Sequence, residues 1–450
     1  MKKGEVFELD IIGINFNGEG YGEFDGEKYF IKSCIPGQKV KVRFIKKKSG
    51  RNVCKLIEVI KDSEISITPI CEKFGECGGC TYLNLSYDDQ IKFKEESIKN
   101  LLHEGNIEYK TFKGVAKSPK VFEYRNKMEF SFGDEFKGGP LELGLHKTGN
   151  PFGVVPTYSC HLVSNDFREI MKSTVKYFRE VGASPYKLKT HKGYLRNLIL
   201  REGKDEIMVS LVTSNQESFD FTNFKEELLS LKLDKKIGGI LHVVSNSLSD
   251  AINPEEINLL YGNDYIYEEI FGLKFKLNLF SFFQTNTEGM KILYGKVKEN
   301  IKNNEGTILD LYCGTGTIGQ ILSHGSKNKV IGIEIVKDAV IMARENSKFN
   351  NLDCEFIEGD VAEAVKNIKD KISFIVVDPP RAGIMEKGVR NICKFNVENI
   401  IYVSCNPKTL VEDLKVFSNC GYKVETIECV DMFPNTYHVE CVVLMSRVEK

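Results

Sequence analysis

Apolar and polar residues alternate at short range over the first sixty positions. Strand-length runs such as "KVKVRF" and "NVCKLIEVI" are separated by "NGEG", "DGE", "PGQ" and "KSG". Period-two alternation punctuated by glycine turns predicts short β-strands. A segment this small and this β-rich predicts a five-stranded barrel of the OB kind, a frequent nucleic-acid platform, over residues 1–60. The period then lengthens. "YDDQIKFKEESIKNLLHEG" predicts an amphipathic helix. Residues 110–265 read as mixed α+β, with strands near 127–132, 141–146, 195–201, 206–213 and 239–246. From about 270 apolar runs alternate with helical ones: "TILDLY", "KVIGIEI", "CEFIEGD", "FIVVD", "NIIYVS", "YKVETIECV" and "ECVVLM". That rhythm predicts a mostly parallel sheet covered on both faces. The expected organisation is a multidomain α/β chain with units at 1–60, 61–268 and 269–450, and no internal repeat.

Composition changes this picture in two places. The formal charge is −1, so the whole chain is no polycation, yet Lys39 to Lys55 carries eight basic residues and no acid. A second basic stretch, 186–204, interleaves Tyr186 and Tyr194. A solvated hairpin edge would look the same, but two such patches on a near-neutral chain suggest a polyanion footprint. "MKKGEVFELD" has no apolar signal region and no run reaches membrane-span length, so a cytoplasmic, membrane-free protein is expected. In that compartment the thirteen cysteines are expected as thiols.

"ILDLYCGTGTIG" places Gly314, Gly316 and Gly319 after a strand and at the start of a helix. Alone this motif could mean NAD, and a plain NAD-type fold leaves the D-P-P-R run that follows unexplained. Three features add to it. Asp310 precedes the turn, where it can meet a ligand ammonium or the backbone. Glu334 ends the second strand, where a carboxylate can accept ribose hydroxyls. "VVDPPR" ends the fourth strand, after acidic Asp360 at the third. This order resembles the class I methyltransferase layout and implies S-adenosylmethionine as the ligand. The two prolines stiffen the loop after Asp378. Arg381 follows them, so the aromatic wall of amino-methyltransferases is missing.

"YVSCNP" puts Cys405 at the end of the fifth strand, facing the expected methyl donor. A thiolate there can attack carbon 6 of a pyrimidine and make carbon 5 nucleophilic. A base must then remove the carbon-5 proton. "DMFPNTYHVECVV" offers Glu440, with His438 two residues before it.

"SFFQTN", "LDLYCGTGTIG", "DPPRAG", "YVSCNP" and "DMFPNTYHVE" together resemble the motifs of bacterial RNA uracil-C5 methyltransferases. The likeness covers essentially the whole chain. The N-terminal segment resembles the TRAM domain, and with the cysteine cluster the match is similar to the 23S rRNA subgroup. The resemblance implies Cys405 as nucleophile and Glu440 as base. It implies Gln284, Tyr312, Gly314, Gly316, Glu334, Asp360 and Asp378 around the donor or the reacting base.

"CEKFGECGGC" spaces Cys71, Cys77 and Cys80 as C-x5-C-x2-C, with Cys160 the best fourth ligand and His161 beside it. Spacing leaves zinc and iron–sulfur open; the resemblance implies a [4Fe–4S] cluster on the four cysteines. Arg125 and Lys127 fall two apart on a strand, and the resemblance places them against RNA. The expected protein is thus a monomeric enzyme acting on 23S rRNA. Three readings compete. A tRNA target is one, weighed against by the barrel and the cysteines. An RNA cytosine-C5 enzyme would carry a second cysteine after the fourth strand, where Pro379, Pro380 and Arg381 stand. A non-catalytic iron–sulfur RNA-binding protein should have lost part of the glycine turn, Asp378, Cys405 or Glu440.

Overall fold

Strand Val6–Asp10 pairs antiparallel with Lys39–Lys48, and its continuation Gly13–Ile14 pairs with Glu19–Phe24. Between these ends run Glu27–Lys32 and Arg51–Lys61, parallel to each other. The sheet has six strands where five were expected, because one stretch of chain breaks at residues 11–12 and supplies a strand at each end of the sheet. Alternation sets the interior: Leu9, Ile31, Val40, Val42 and Phe44 are buried, while Lys41, Arg43 and Lys46 face out. This computed structural model describes residues 1–48, 50–301 and 305–448. Among them, no helix is long and apolar enough to cross a membrane.

A seven-stranded sheet follows, in the order Asn150–Pro156, Glu142–Lys147, Lys127–Gly133, Leu195–Glu202, Glu206–Thr213, Lys236–Val244 and Glu256–Gly262. Helices Asn165–Glu180 and Thr222–Leu229 pack on it through Phe167, Ile170, Phe178 and Phe224. Parity shows that both faces are covered. Leu198 and Leu200 join the helix side, and Ile199 between them joins a core shared with the C-terminal sheet.

That C-terminal sheet has eight strands. Their order is Cys354–Glu358, Lys327–Glu334, Glu305–Leu311, Ile372–Val377, Asn399–Ser404, Glu440–Arg447, Tyr422–Val430 and Tyr109–Ala116. The first five are parallel, and Glu440–Arg447 runs antiparallel between its two neighbours. The same parity separates the two faces. Leu309, Ile375, Ile400 and Tyr402 belong to one core, and Ile308, Val376, Ile401 and Val403 to the other. The eighth strand lies outside the segment expected to form this sheet: Tyr109–Ala116 pairs in parallel with Tyr422–Val430. Helix Tyr87–Glu104, capped by Ser86 accepting from the Asp89 N–H, packs beside it and contributes Ile98 and Leu102 to the C-terminal core.

Candidate active site at the carboxyl edge of the sheet

The five parallel strands end at one edge, and the conspicuous residues gather there. After Leu311 the backbone takes positive φ at Tyr312 (61°), Gly314 (53°) and Gly316 (72°). A Cβ on Gly316 would stand 2.5 Å from the Phe356 ring, so this turn needs glycine. Nothing lies within 4 Å of a Cβ built on Gly314, which leaves that side open to a ligand. The Gly314 N–H donates to Glu334 Oε2 (3.0 Å) and the Val336 N–H to Oε1 (2.9 Å). The Glu334 carboxylate is thereby fixed at the mouth of the turn, with further lone pairs to offer.

Asp310 is fully buried. Its Oδ2 accepts from the Gly319 N–H (2.9 Å), and Oδ1 has no partner. Burial lifts its carboxyl to about 8, aided by the charges of Asp378 and Glu334. Asp360, exposed, caps the short helix Val361–Ala364 and accepts from the Glu363 N–H at 3.2 Å. Tyr312 is half-buried, and burial with the charges of Asp360 and Asp413 pushes its phenol to about 12. Asp378 follows strand Ile372–Val377, its N–H donating to the Leu311 carbonyl at 3.2 Å. Burial raises it to about 7, though part of the side chain keeps solvent contact.

The S-C-N-P run has a local explanation. Strand Asn399–Ser404 ends, and Asn406 caps the helix Pro407–Asn419 by accepting from the Lys408 N–H. Pro407 occupies the first helical position, where no N–H is needed. Cys405 lies between the last strand residue, Ser404, and the helix cap, Asn406. Asn406 Nδ2 (2.9 Å) and Thr409 Oγ1 (3.2 Å) both donate to the Arg381 carbonyl, which ties the D-P-P-R loop to this corner.

Register brings the thiol to the carboxyl. Ser404 pairs with Cys441, so the next step places Cys405 opposite Glu440. Glu440 is 2% exposed, and its Oε2 has no partner. Burial, then the Asp378 charge, drives its carboxyl well above the usual range against the opposing pull of Arg381. Cys405 is pushed up to about 12 by burial and by Glu440 and Asp378, again opposed by Arg381. Burial and the cations Arg381, Lys94 and Arg125 lower His438 to about 4, so it is a neutral ring. Gln284, buried, bonds the phenol of Tyr294, which in turn feels Asp378 and Glu440. This edge thus gathers a thiol and three carboxyls whose burial favours their neutral forms.

The four cysteines meet elsewhere. Cys71, Cys77, Cys80 and Cys160 line one cavity with His161 and Leu162. Burial and their mutual charge raise Cys80 beyond the normal thiol range, and Cys160 to about 11. Among the described residues, no three His, Cys, Asp or Glu side chains converge closely enough to hold a metal ion. The four cysteines expected to share a ligand site thus line one cavity, without a preformed metal-binding group among the described residues. Arg125 and Lys127 have different surroundings. Arg125 lies over Phe433 (5.6 Å) and bears on Cys80 and His438. Lys127 pairs with Glu129 at 3.3 Å beside Arg201. A cleft runs from Asn17 and Lys32 of the barrel past Gly78, Arg125 and Tyr437 to His438.

Residues 86–448 match the family described as tRNA (Uracil-5-)-methyltransferase. The chain belongs to this family. A Clostridium tetani protein described as an uncharacterized RNA methyltransferase is 45% identical over 451 residues, covering 99% of each chain. One from Caldanaerobacter subterraneus subsp. tengcongensis is 43% identical, covering 99% of this chain and all of its own. The crystal structure of Pyrococcus abyssi tRNA (uracil-54, C5)-methyltransferase with S-adenosyl-L-homocysteine superposes with a TM-score of 0.79 at 28% identity. It covers 98% of this chain and 100% of its own.

In this uracil-5-methyltransferase family member, the sequence reading passed over two residues at the edge. In the sequence Arg381 stands out for the aromatic ring and the second cysteine that are absent there, yet its charge opposes the neutralisation of both Cys405 and Glu440. Tyr294 sits in helix Thr287–Asn300 and looks like an ordinary core aromatic. Only its contact with Gln284 marks it out.

Proposed function

We propose that this protein transfers the methyl group of S-adenosylmethionine to carbon 5 of a uridine in 23S rRNA. The observation that carries the reading is the register that sets Cys405 opposite Glu440 beside the glycine turn. The target uridine leaves its stack to reach that edge. Cys405, as thiolate, adds to carbon 6, and the electron pair moves through carbon 5 to the carbonyl at carbon 4. Carbon 5 then takes the methyl group, and S-adenosylhomocysteine leaves. Glu440 as carboxylate removes the carbon-5 proton, the double bond reforms, and Cys405 departs. Arg381 favours both anions. Gln284, Tyr312, Gly314, Gly316, Glu334 and Asp360 bind the donor. Asp378 holds the uracil edge, and Arg125 and Lys127 contact RNA.

Cys71, Cys77, Cys80 and Cys160 line one cavity, and four thiolates can hold an iron–sulfur cluster, so they are assigned to a [4Fe–4S] cluster. When bound it braces the loop, and methyl transfer exchanges no electrons with it. The barrel, with its outward Lys41, Arg43 and Lys46, is the RNA platform. The protein works as a monomer in the cytoplasm.

One observation favours a tRNA target instead. The Pyrococcus abyssi enzyme acts on tRNA by its description and superposes over 98% of this chain. An architecture of this extent therefore does not separate rRNA from tRNA. The deciding experiment uses protein purified without oxygen and an isotope-labelled methyl donor. Unmodified 23S rRNA and tRNA are offered separately, and the nucleosides are read by mass spectrometry. Labelled 5-methyluridine from 23S rRNA alone, abolished by Cys405→Ala, is expected. Label in tRNA moves the substrate and keeps the chemistry. Labelled 5-methylcytidine overturns both the base and its partner Glu440.

A further inference from the structure

The loop between strands Tyr422–Val430 and Glu440–Arg447 delivers Glu440 to the edge of the sheet. It is held from outside by residues 81–124. Asn435, 1% exposed with φ 67°, bonds through its main chain and its amide alike. Its N–H donates to Gln90 Oε1 (2.9 Å), and its Oδ1 accepts from Gln90 Nε2 (3.2 Å). Its Nδ2 donates to the Val121 carbonyl at 2.8 Å. Its own carbonyl accepts from the N–H groups of Thr81 (2.7 Å) and Tyr82 (3.0 Å), the residues that follow Cys80. Gln90 Nε2 also donates to the Tyr82 and Leu85 carbonyls, both at 3.1 Å. On the preceding residue, the Pro434 carbonyl accepts from Tyr124 Oη (3.0 Å).

A loop that only had to be stable would be served by apolar packing. Here the Gln90 side-chain amide clasps the Asn435 main-chain N–H and Oδ1 together, and opening that pair leaves the buried N–H and Oε1 without partners. We propose that Asn435, clasped by Gln90, is a positioning residue that sets the Glu440 carboxyl against the methylated carbon 5 and ties that placement to the segment after Cys80. Asn435 touches neither RNA nor donor in this account; it acts through Glu440. The inference rests on the reading of Glu440 as base.

The test separates the two. Glu440→Gln should leave a methylated RNA–protein adduct that survives denaturing electrophoresis, since the proton stays on carbon 5 and Cys405 cannot leave. Asn435→Gly keeps the left-handed backbone and the Thr81 and Tyr82 bonds but removes both side-chain bonds. Gln90→Ala removes the partner. Both are expected to lower kcat about tenfold or more with KM for RNA within about twofold, and to accumulate the same adduct. The double variant should be no worse than either single one. If Glu440→Gln traps adduct and neither Asn435→Gly nor Gln90→Ala does, the positioning role is wrong. It is equally wrong if these variants raise KM alone or lose adduct and turnover together. If Glu440→Gln traps nothing, the base assignment fails and takes the positioning role with it.

Discussion

Asp310, Asp378 and Glu440 share one property: each carboxyl holds its proton more tightly in the folded chain than carboxyls do in water. Unfolded, they titrate near pH 4. The sign follows from linkage. A raised folded value gives stability that is complete below about pH 4 and lost as pH rises through the folded value. For Asp378 and Asp310 those values are about 7 and about 8. Asp378, partly in solvent, contributes the smaller share. The ligand-free protein is therefore expected to lose urea resistance steadily from pH 5 to pH 8, and Asp310→Asn should flatten the upper part of that decline. A cationic ligand reverses the preference. S-adenosylmethionine, with its sulfonium and ammonium charges, should bind more tightly as pH rises, by up to about tenfold per unit for each proton released. Calorimetry in buffers of different ionisation enthalpy reads that release directly. S-adenosylhomocysteine lacks the sulfonium and should show a shallower dependence.

Helix Tyr87–Glu104 shows what an element conceals. Its ends are legible: Ser86 before Asp88 and Asp89 marks the start. Its middle is not. In "KFKEES" Lys94 reads as one more solvated charge, but it is 2% exposed, with Nζ 2.6 Å from Asp431 and 3.1 Å from the Phe433 carbonyl. Burial outweighs the Asp431 charge and lowers its ammonium. Its partners come from the far end of the chain, and no local pattern signals such a pairing. Removing one member strands the other. Lys94→Met should cost about 3–5 kcal/mol in denaturant unfolding, and adding Asp431→Asn should recover most of it. Strand Tyr109–Ala116 was hidden for a related reason. "YKTFKGVA" is too polar for a core strand, and an outermost strand can afford that composition. By contrast, "YVSCNP" and "DPPRAG" were legible because strand end, cap and proline each leave a residue type behind. The opposition of Cys405 and Glu440 needed the register, which sequence alone does not supply.

Across the whole molecule the alternating pattern foretold the three kinds of sheet, and it missed how they share cores. One cluster joins Ile199 and Val212 of the middle sheet to Phe275 of the hairpin Tyr265–Asn278 and to Val376 and Val403 of the C-terminal sheet. A fragment of residues 269–450 alone would expose this apolar face and leave strand Tyr422–Val430 without its outer neighbour. Such a fragment is expected to aggregate, and light scattering should show it; adding residues 86–118 as a separate peptide should not restore solubility, because the middle-sheet face stays bare.

The outer strand also bears on how the chain is made. Tyr109–Ala116 emerges from the ribosome about three hundred residues before its parallel partner Tyr422–Val430. At a synthesis rate of roughly 5–20 residues per second, the early strand waits on the order of tens of seconds. Helix Tyr87–Glu104 and its buried Lys94 wait with it for Asp431. The loop bearing Glu440 can therefore be clasped only after that late strand has been made, so the nascent chain has no assembled site until then.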